Sequence, residues 1–239
     1  RKLNIQKIYA YSHTTINYWH LNYFNTKADN NNYLKNHFPK MILCHSENCR
    51  KYLLDQGYKS KQLIKVSAER FRWATNIKKI NFLKKRKKIL VIGDYEKNIN
   101  LNLINVINNF AVKNPKYHIT YKPHPSTFYD LSFLNSKINI SRKSLKEILN
   151  NFEIIVSTNS TAASAEISLV KKNILIFLDF FNLDLSPFKL KNNFKNNFNF
   201  FDHIDLHELL LLKKNNIHKY SFYFEKKYKN NWKKLFKKH

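Results

Sequence analysis

Tyr121-Lys-Pro-His-Pro-Ser126 and, further along, Val156-Ser-Thr-Asn-Ser-Thr-Ala-Ala-Ser-Ala-Glu166 are the stretches on which the reading of this chain turns. Each lies where an apolar strand gives way to a loop or a helix. In open α/β sheets, ligands bind beyond the carboxyl ends of the strands, and both stretches occupy that position. In the first, two prolines fix the backbone around His124, so its imidazole is aimed at little entropic cost. Such a ring can hydrogen-bond a phosphate or a ribose hydroxyl, and Lys122 beside it can neutralise phosphate charge. Pro125 completes the rigid element. The bland alternative is a stiff turn with an incidental His.

In the second stretch, Ser157, Thr158, Asn159, Ser160 and Thr161 read as a polar link between strand and helix. Free N–H groups at a helix start favour an anion, and the hydroxyls add donors. A single Ser or Thr would satisfy simple N-capping; this run exceeds that need. Glu166, just over one turn into the helix, either accepts from ribose hydroxyls or is a solvated helical carboxylate.

Working outward, the region after residue 88 alternates strand and helix. Lys88–Gly93 is a buried Ile-Leu-Val-Ile strand. Leu101–Val112 has apolar residues at helical spacing. Tyr117–Tyr121 and Lys137–Ile140 read as strands, and Ser144 with Glu147 forms a capping-box pattern. Glu153–Val156 is a strand, Ala162–Leu169 a helix, and Asn173–Leu178 a further strand. This β-α-β-β-α-β-α-β order predicts an open, doubly wound parallel sheet. The Asn/Phe/Lys-rich stretch Phe188–Phe201 reads as a mobile loop or lid.

Ahead of it, Lys7–Tyr11, Met41–Cys44 and Gln62–Ala68 read as strands, while Ser46 caps a helix over Glu47–Gln56 that stops at Gly57. Ala28–Lys35 reads as a loop. The expected organisation is a front layer over 1–77, a basic linker over 78–88, a second Rossmann-like domain over 89–217 and a terminal helix over 218–239. The chain opens at Arg1 without an initiator Met, so the front layer is expected to be incomplete.

The chain has 239 residues and a formal net charge of +27, from 43 Lys+Arg against 16 Asp+Glu. Such a balance invites a nucleic-acid reading. No zinc spacing, RNP-type aromatic motif or recognition helix accompanies it, and Lys, Asn and Ile dominate throughout, so no nucleic-acid partner is expected. Cys44 and Cys49 do not form a disulfide framework or a zinc pattern, so free thiols and no metal are expected. No apolar run reaches membrane-spanning length, and no signal peptide is visible. A cytoplasmic protein is expected.

Together, Tyr121–Ser126 and Ser157–Glu166 resemble the His-Pro and Ser/Thr motifs in the donor half of bacterial surface-polysaccharide glycosyltransferases, the capsule and lipopolysaccharide enzymes of sialyl-, polysialyl- and Kdo-transferase type. Tyr11–Phe24 and Val66–Arg72 are similar to a family described only as surface carbohydrate biosynthesis proteins. In that pattern an acidic residue is usual where His20 stands, and an Arg where Asn22 stands. The resemblance implies a GT-B-like fold, with two Rossmann-like layers facing a cleft. It also implies metal-independent transfer without a cofactor from a nucleotide sugar, CMP-activated by preference, to a glycan or lipid-linked acceptor. His124 and Ser157–Ser160 would hold the phosphate and Glu166 the ribose. The front layer would supply the base, for which His13 is the candidate, and Arg70 or Arg72 could pair with phosphate. A catalytically inert, nucleotide-binding relative is the alternative. The basic, aromatic tail Ser221–His239 either lies on an anionic bilayer at the inner membrane face or braces the front layer.

Overall fold

A run of β-branched and aliphatic residues uninterrupted by polar ones belongs to a strand covered on both faces, and Ile89-Leu-Val-Ile92, at the heart of the strand Lys88–Ile92, is the example around which the second unit is built. The computed structural model describes residues 9–12, 41–76, 88–127, 130–158, 161–168, 170, 174–177, 199–201 and 229–236. The chain divides into two compact units, residues 1–72 with 220–239, and residues 73–219.

In the first unit, β1 (Tyr9–Tyr11), β2 (Met41–Cys44) and β3 (Leu63–Lys65) pair in parallel in the order β1-β2-β3. Helix α1 (Glu47–Asp55) begins at Ser46, whose hydroxyl accepts from the Cys49 N–H at 3.1 Å. Its end is a Schellman motif. Tyr58 N–H donates to Leu53 O at 3.1 Å, and Gly57 N–H to Leu54 O at 2.9 Å. Gly57 has φ 91, a conformation that glycine adopts without Cβ strain. Strand β3 is shorter than the sequence suggests: Gln62 belongs to a 3₁₀ turn over Ser60–Gln62, and the strand ends at Lys65. Cys44 and Cys49 are buried free thiols.

A C-terminal helix, α6 (Lys229–Phe236, numbered last in chain order), docks on this unit. Asn231 Nδ2 donates to Lys65 O at 2.7 Å, and Trp232 Nε1 to Ser67 O at 2.9 Å. The Trp232 ring meets Tyr11 edge-on, with centroids 5.2 Å apart. Lys233 and Lys234 on the same helix are exposed. The short helix α2 (Arg72–Asn76) contains the division between the units.

In the second unit, β4 (Lys88–Ile92), α3 (Lys97–Lys113), β5 (His118–Lys122), β6 (Ile138–Ile140), α4 (Leu145–Ile148), β7 (Ile154–Thr158), α5 (Ala162–Ser168), β8 (Ile174–Phe177) and β9 (Asn199–Phe201) follow in turn. The strands are all parallel, in the order β6-β5-β4-β7-β8-β9. Numbered within the unit, this is the 3-2-1-4-5-6 order of doubly wound dinucleotide folds, with its switch point between β4 and β7. Helix α3 lays Ile99, Leu103, Ile104, Ile107, Phe110 and Ala111 onto the sheet, and each full burial of a Leu, Ile or Phe stabilises by about 1.5–3 kcal/mol. Ser144 and Glu147 form the expected capping box at α4.

In the second unit, three boundaries differ from the sequence reading by more than one residue. Helix α3 starts at Lys97, because the Glu96 carboxylate caps it by accepting from Asn98 N–H at 3.3 Å. Strand β7 runs on through Ser157 and Thr158, which pair with Ile176 and Phe177 of β8. The Phe188–Phe201 stretch ends in β9, whose Asn199–Phe201 pairs with Leu175–Phe177. The rest of that stretch, most of the predicted linker and the Ala28–Lys35 loop lie outside the described residues.

Candidate functional site

Because the strands are parallel and β4 lies between β5 and β7, the loops after all three leave the same edge of the sheet. Register puts Lys122 level with Ile92 and Val91 level with Val156. The His-Pro loop and the Ser/Thr segment therefore flank the switch point from two sides, two strand spacings or roughly 10 Å apart at their roots.

The His-Pro segment is a β-turn. Thr127 N–H donates to His124 O at 2.9 Å, with Pro125 at the second position, where its fixed φ is favoured. Pro123 is buried and Pro125 exposed. Ser126 N–H donates to His124 Nδ1 at 3.2 Å. That bond makes Nδ1 the acceptor, so in the neutral ring the proton sits on Nε2, which becomes a donor. The turn thus sets both the direction and the tautomer of the imidazole. Lys122, half-buried at the end of β5, has its ammonium pulled below the ordinary lysine value by burial. Among the described residues no carboxylate pairs with it.

The Ser/Thr segment is used differently from the expectation. Ser157 and Thr158 are fully buried within β7. Ser164 Oγ donates to Thr158 O at 2.5 Å, which leaves the Ser157 hydroxyl to donate to Ser164 Oγ at 2.9 Å. Thr158 Oγ1 donates to the Asp94 carboxylate. Thr161 is the N-cap of α5, and its Oγ1 accepts from Ala163 N–H at 3.3 Å. Helix α5 has only 7 residues, so its dipole is short. Glu166 is buried, 7% exposed, rather than solvated. Asn159 and Ser160 lie outside the described residues, as does His13 along with His20 and Asn22. Arg70 belongs to the first unit, exposed in the turn Glu69–Phe71, and Arg72 pairs with Glu69 at 3.4 Å.

The link Gly93–Glu96, between β4 and α3, was not singled out by the sequence reading. Asp94 is 0% exposed. Its N–H donates to Asn100 Oδ1 at 2.7 Å, its carbonyl accepts from Asn100 Nδ2 at 2.5 Å, and its carboxylate accepts from Glu96 N–H at 3.1 Å as well as from Thr158. Tyr121 Oη also donates to Asn100 Oδ1, at 3.1 Å. This network ties β4, β5 and β7 together directly beneath the switch point. The available signal was Gly93-Asp94 itself, with one of only 2 glycines in the chain, placed at the end of a buried apolar strand.

One consequence for Lys122 is testable. A lysine whose folded pKa is depressed loses stability at pH values where it is charged, and the loss fades as pH rises past that pKa. Lys122→Met keeps the methylene volume without the charge. We expect its ligand-free melting temperature at neutral pH to match or exceed that of the parent, the gain shrinking toward high pH, while anion binding weakens. Scanning calorimetry with and without nucleotide checks both effects.

No cluster of His, Cys, Asp or Glu among the described residues is arranged to hold a metal. Nor, among those residues, is any helix long and apolar enough to cross a membrane.

No protein-family model and no curated protein matches this chain. Solved structures do match in fold. The GtfA/B complex superposes with a TM-score of 0.57 at 10% identity, over 97% of this chain and 52% of that one. TarM gives 0.53 at 14% identity, over 95% and 50%. The UDP-GlcNAc 2-epimerase from Neisseria meningitidis, bound to UDP-GlcNAc, gives 0.52 at 13% identity, over 95% and 68%. The chain therefore spans about half to two thirds of the length of these structures, and what it shares with them is a GT-B-like α/β fold of parallel, Rossmann-like sheets.

Proposed function

We propose that the second unit binds a nucleotide-activated sugar and that the protein transfers the sugar to a glycan or lipid-linked acceptor. The observation that supports this is that Lys122 ends β5 and His124 follows it, while Thr161 precedes α5 after β7, on either side of β4 at the carboxyl edge of the sheet, with Glu166 just over one turn into α5. A cation and a fixed imidazole donor suit a phosphate. A buried carboxylate suits the hydroxyls of a ribose. Ser157 and Thr158 then act as positioning residues, holding α5 and Asp94, and Asn159 and Ser160 complete the segment.

In the proposed reaction, an acceptor hydroxyl attacks the anomeric carbon, and the bond from that carbon to the phosphate oxygen breaks. The hydroxyl proton passes to a general base, for which His13 after β1 is the candidate. Negative charge on the departing nucleotide is met by Lys122 and the His124 donor, with Arg70 as a further proposed phosphate ligand. These groups supply charge that a metal would otherwise provide. The UDP-GlcNAc bound to the Neisseria meningitidis fold neighbour supports a nucleotide ligand. We keep CMP in the trial set on the strength of the His-Pro and Ser/Thr motifs. A capsule or lipopolysaccharide acceptor at the cytoplasmic membrane face would suit the exposed lysines of α6.

A melting screen against CMP, CDP, UDP and GDP tests the reading. One nucleotide at a hundred times its Kd should stabilise by about 2.7 kcal/mol, roughly 5–10 °C for a domain of this size. A protein indifferent to all four that bound DNA with steep salt dependence would overturn the proposal in favour of the basic nucleic-acid reading. Binding without hydrolysis or transfer of any sugar nucleotide would point to an inert relative.

A further inference from the structure

The link between β4 and α3 is pinned on both sides of one residue. Asn100 holds both the N–H and the carbonyl of Asp94, at 2.7 and 2.5 Å, and the Asp94 carboxylate holds Glu96 N–H at 3.1 Å. Between these pins Tyr95 stands out from the surface, 54% exposed. Its ring meets His124 edge-on, with centroids 6.2 Å apart and planes at 65°. The other large hydrophobic residues exposed among those described are Val112, Phe133 and Ile140. Val112 lies at the far end of α3, Phe133 in the connection entering β6, and Ile140 on the edge strand β6. Tyr95 alone borders the β4–β7 switch point.

More than half of Tyr95 is exposed, and the pinned backbone fixes the point from which its side chain leaves the chain, at the rim of the switch point. A planar ligand at this edge would cover the exposed part of the ring. Burial and the neighbouring Asp94 and Glu96 carboxylates raise the phenol pKa, so the ring is a neutral phenol. We infer that Tyr95 is the stacking platform for the nucleobase of the donor, beside the phosphate held by His124. The inference rests on the donor-site reading above and extends it to a specificity-determining residue. Stacking on an aromatic side chain is tolerant of base identity, so Tyr95 sets affinity for a base as such, and discrimination among bases falls to other groups.

Titration to millimolar concentration with CMP, with UMP and with ribose 5-phosphate, which lacks a base, tests this on the parent chain, Tyr95→Ala and Tyr95→Trp. Stacking of this kind corresponds to about 5- to 150-fold in affinity. Tyr95→Ala should therefore bind the preferred nucleotide about 10-fold or more weakly, while holding ribose 5-phosphate within about twofold of the parent. Tyr95→Trp should bind the nucleotide at least as well as the parent. Parent-like nucleotide affinity in a folded Tyr95→Ala overturns the platform and leaves the donor site standing. Equal loss of nucleotide and ribose 5-phosphate also overturns it, because the ring would then be shaping the loop rather than stacking. A parent chain that binds none of the three ligands overturns the donor-site reading itself.

Discussion

His124→Ala should fold as the parent does and lose its response to nucleotide. The turn that carries His124 is closed by backbone, with Thr127 N–H on His124 O and Pro125 fixing φ, so removing the ring leaves the turn intact. The Ser126 N–H that donated to Nδ1 is exposed and can turn to water, so the fold bears little cost. Binding bears more. A hydrogen bond to a charged group is worth about 1.5–3 kcal/mol, or roughly 10- to 150-fold in Kd. At a nucleotide concentration a hundred times the parent Kd, a 100-fold loss leaves about 0.4 kcal/mol of stabilisation instead of about 2.7. The melting shift should shrink from roughly 5–10 °C to about 1 °C. His124→Gln, which can place an N–H near the Nε2 position, should recover part of the shift. Unchanged nucleotide affinity in the alanine variant would remove His124 from the site, and a fallen ligand-free melting point would make it a structural residue.

The sheet around that residue was legible in the sequence because local signals agreed with one another. Met41–Cys44, Lys88–Gly93 and Asn173–Leu178 are apolar runs of strand length. Ser46, Gly57 and the Ser144/Glu147 pair are capping signals whose hydrogen bonds form as their chemistry requires. Less legible were elements whose boundaries are set by partners. Ser157 and Thr158 read as loop because they open a run of five polar residues, although Thr by itself favours strands. Here β8 pairs with both, and Ser164 and Asp94 satisfy their hydroxyls. Strand β9 was hidden in a low-complexity stretch and exists only by pairing with β8. Of the proposed site, Lys122, His124, Thr161 and Glu166 stand out in the sequence by their positions at or after strand ends. Asp94, Tyr95 and Asn100 were not, since a buried network spanning three strands leaves no local pattern. Its one outward sign is the glycine beside it.

That glycine carries the largest expected effect on stability. Gly93 does not have a positive φ; among the described residues only Gly57 does. Backbone freedom is therefore not what position 93 requires. Space is what it requires: a Cβ there would lie 2.4 Å from Tyr121 Oη, 2.9 Å from Asn100 Oδ1 and 3.0 Å from Tyr121 Cζ. Tyr121 and Asn100 are both 0% exposed, so neither can swing into solvent to make room. Gly93→Ala must push Tyr121 aside, breaking its bond to Asn100 and loosening the grip of Asn100 on Asp94. Overpacking costs about 1–3 kcal/mol, and a buried polar group left unsatisfied about 1–3 more. A loss of about 2–6 kcal/mol should lower the melting temperature by roughly 4–24 °C, and the displaced Asp94–Glu96 link should weaken nucleotide binding as well. Tyr121→Phe separates the steric cause from any other. It removes the hydroxyl that the new methyl would strike, at a cost of about 1 kcal/mol for the lost bond. The Gly93→Ala/Tyr121→Phe pair should then be markedly more stable than the sum of the single changes, since residues in contact couple by about 0.5–3 kcal/mol. Additive losses, or a Gly93→Ala protein that melts with the parent, would show that the close approach of β4 and Tyr121 does not hold the switch point together.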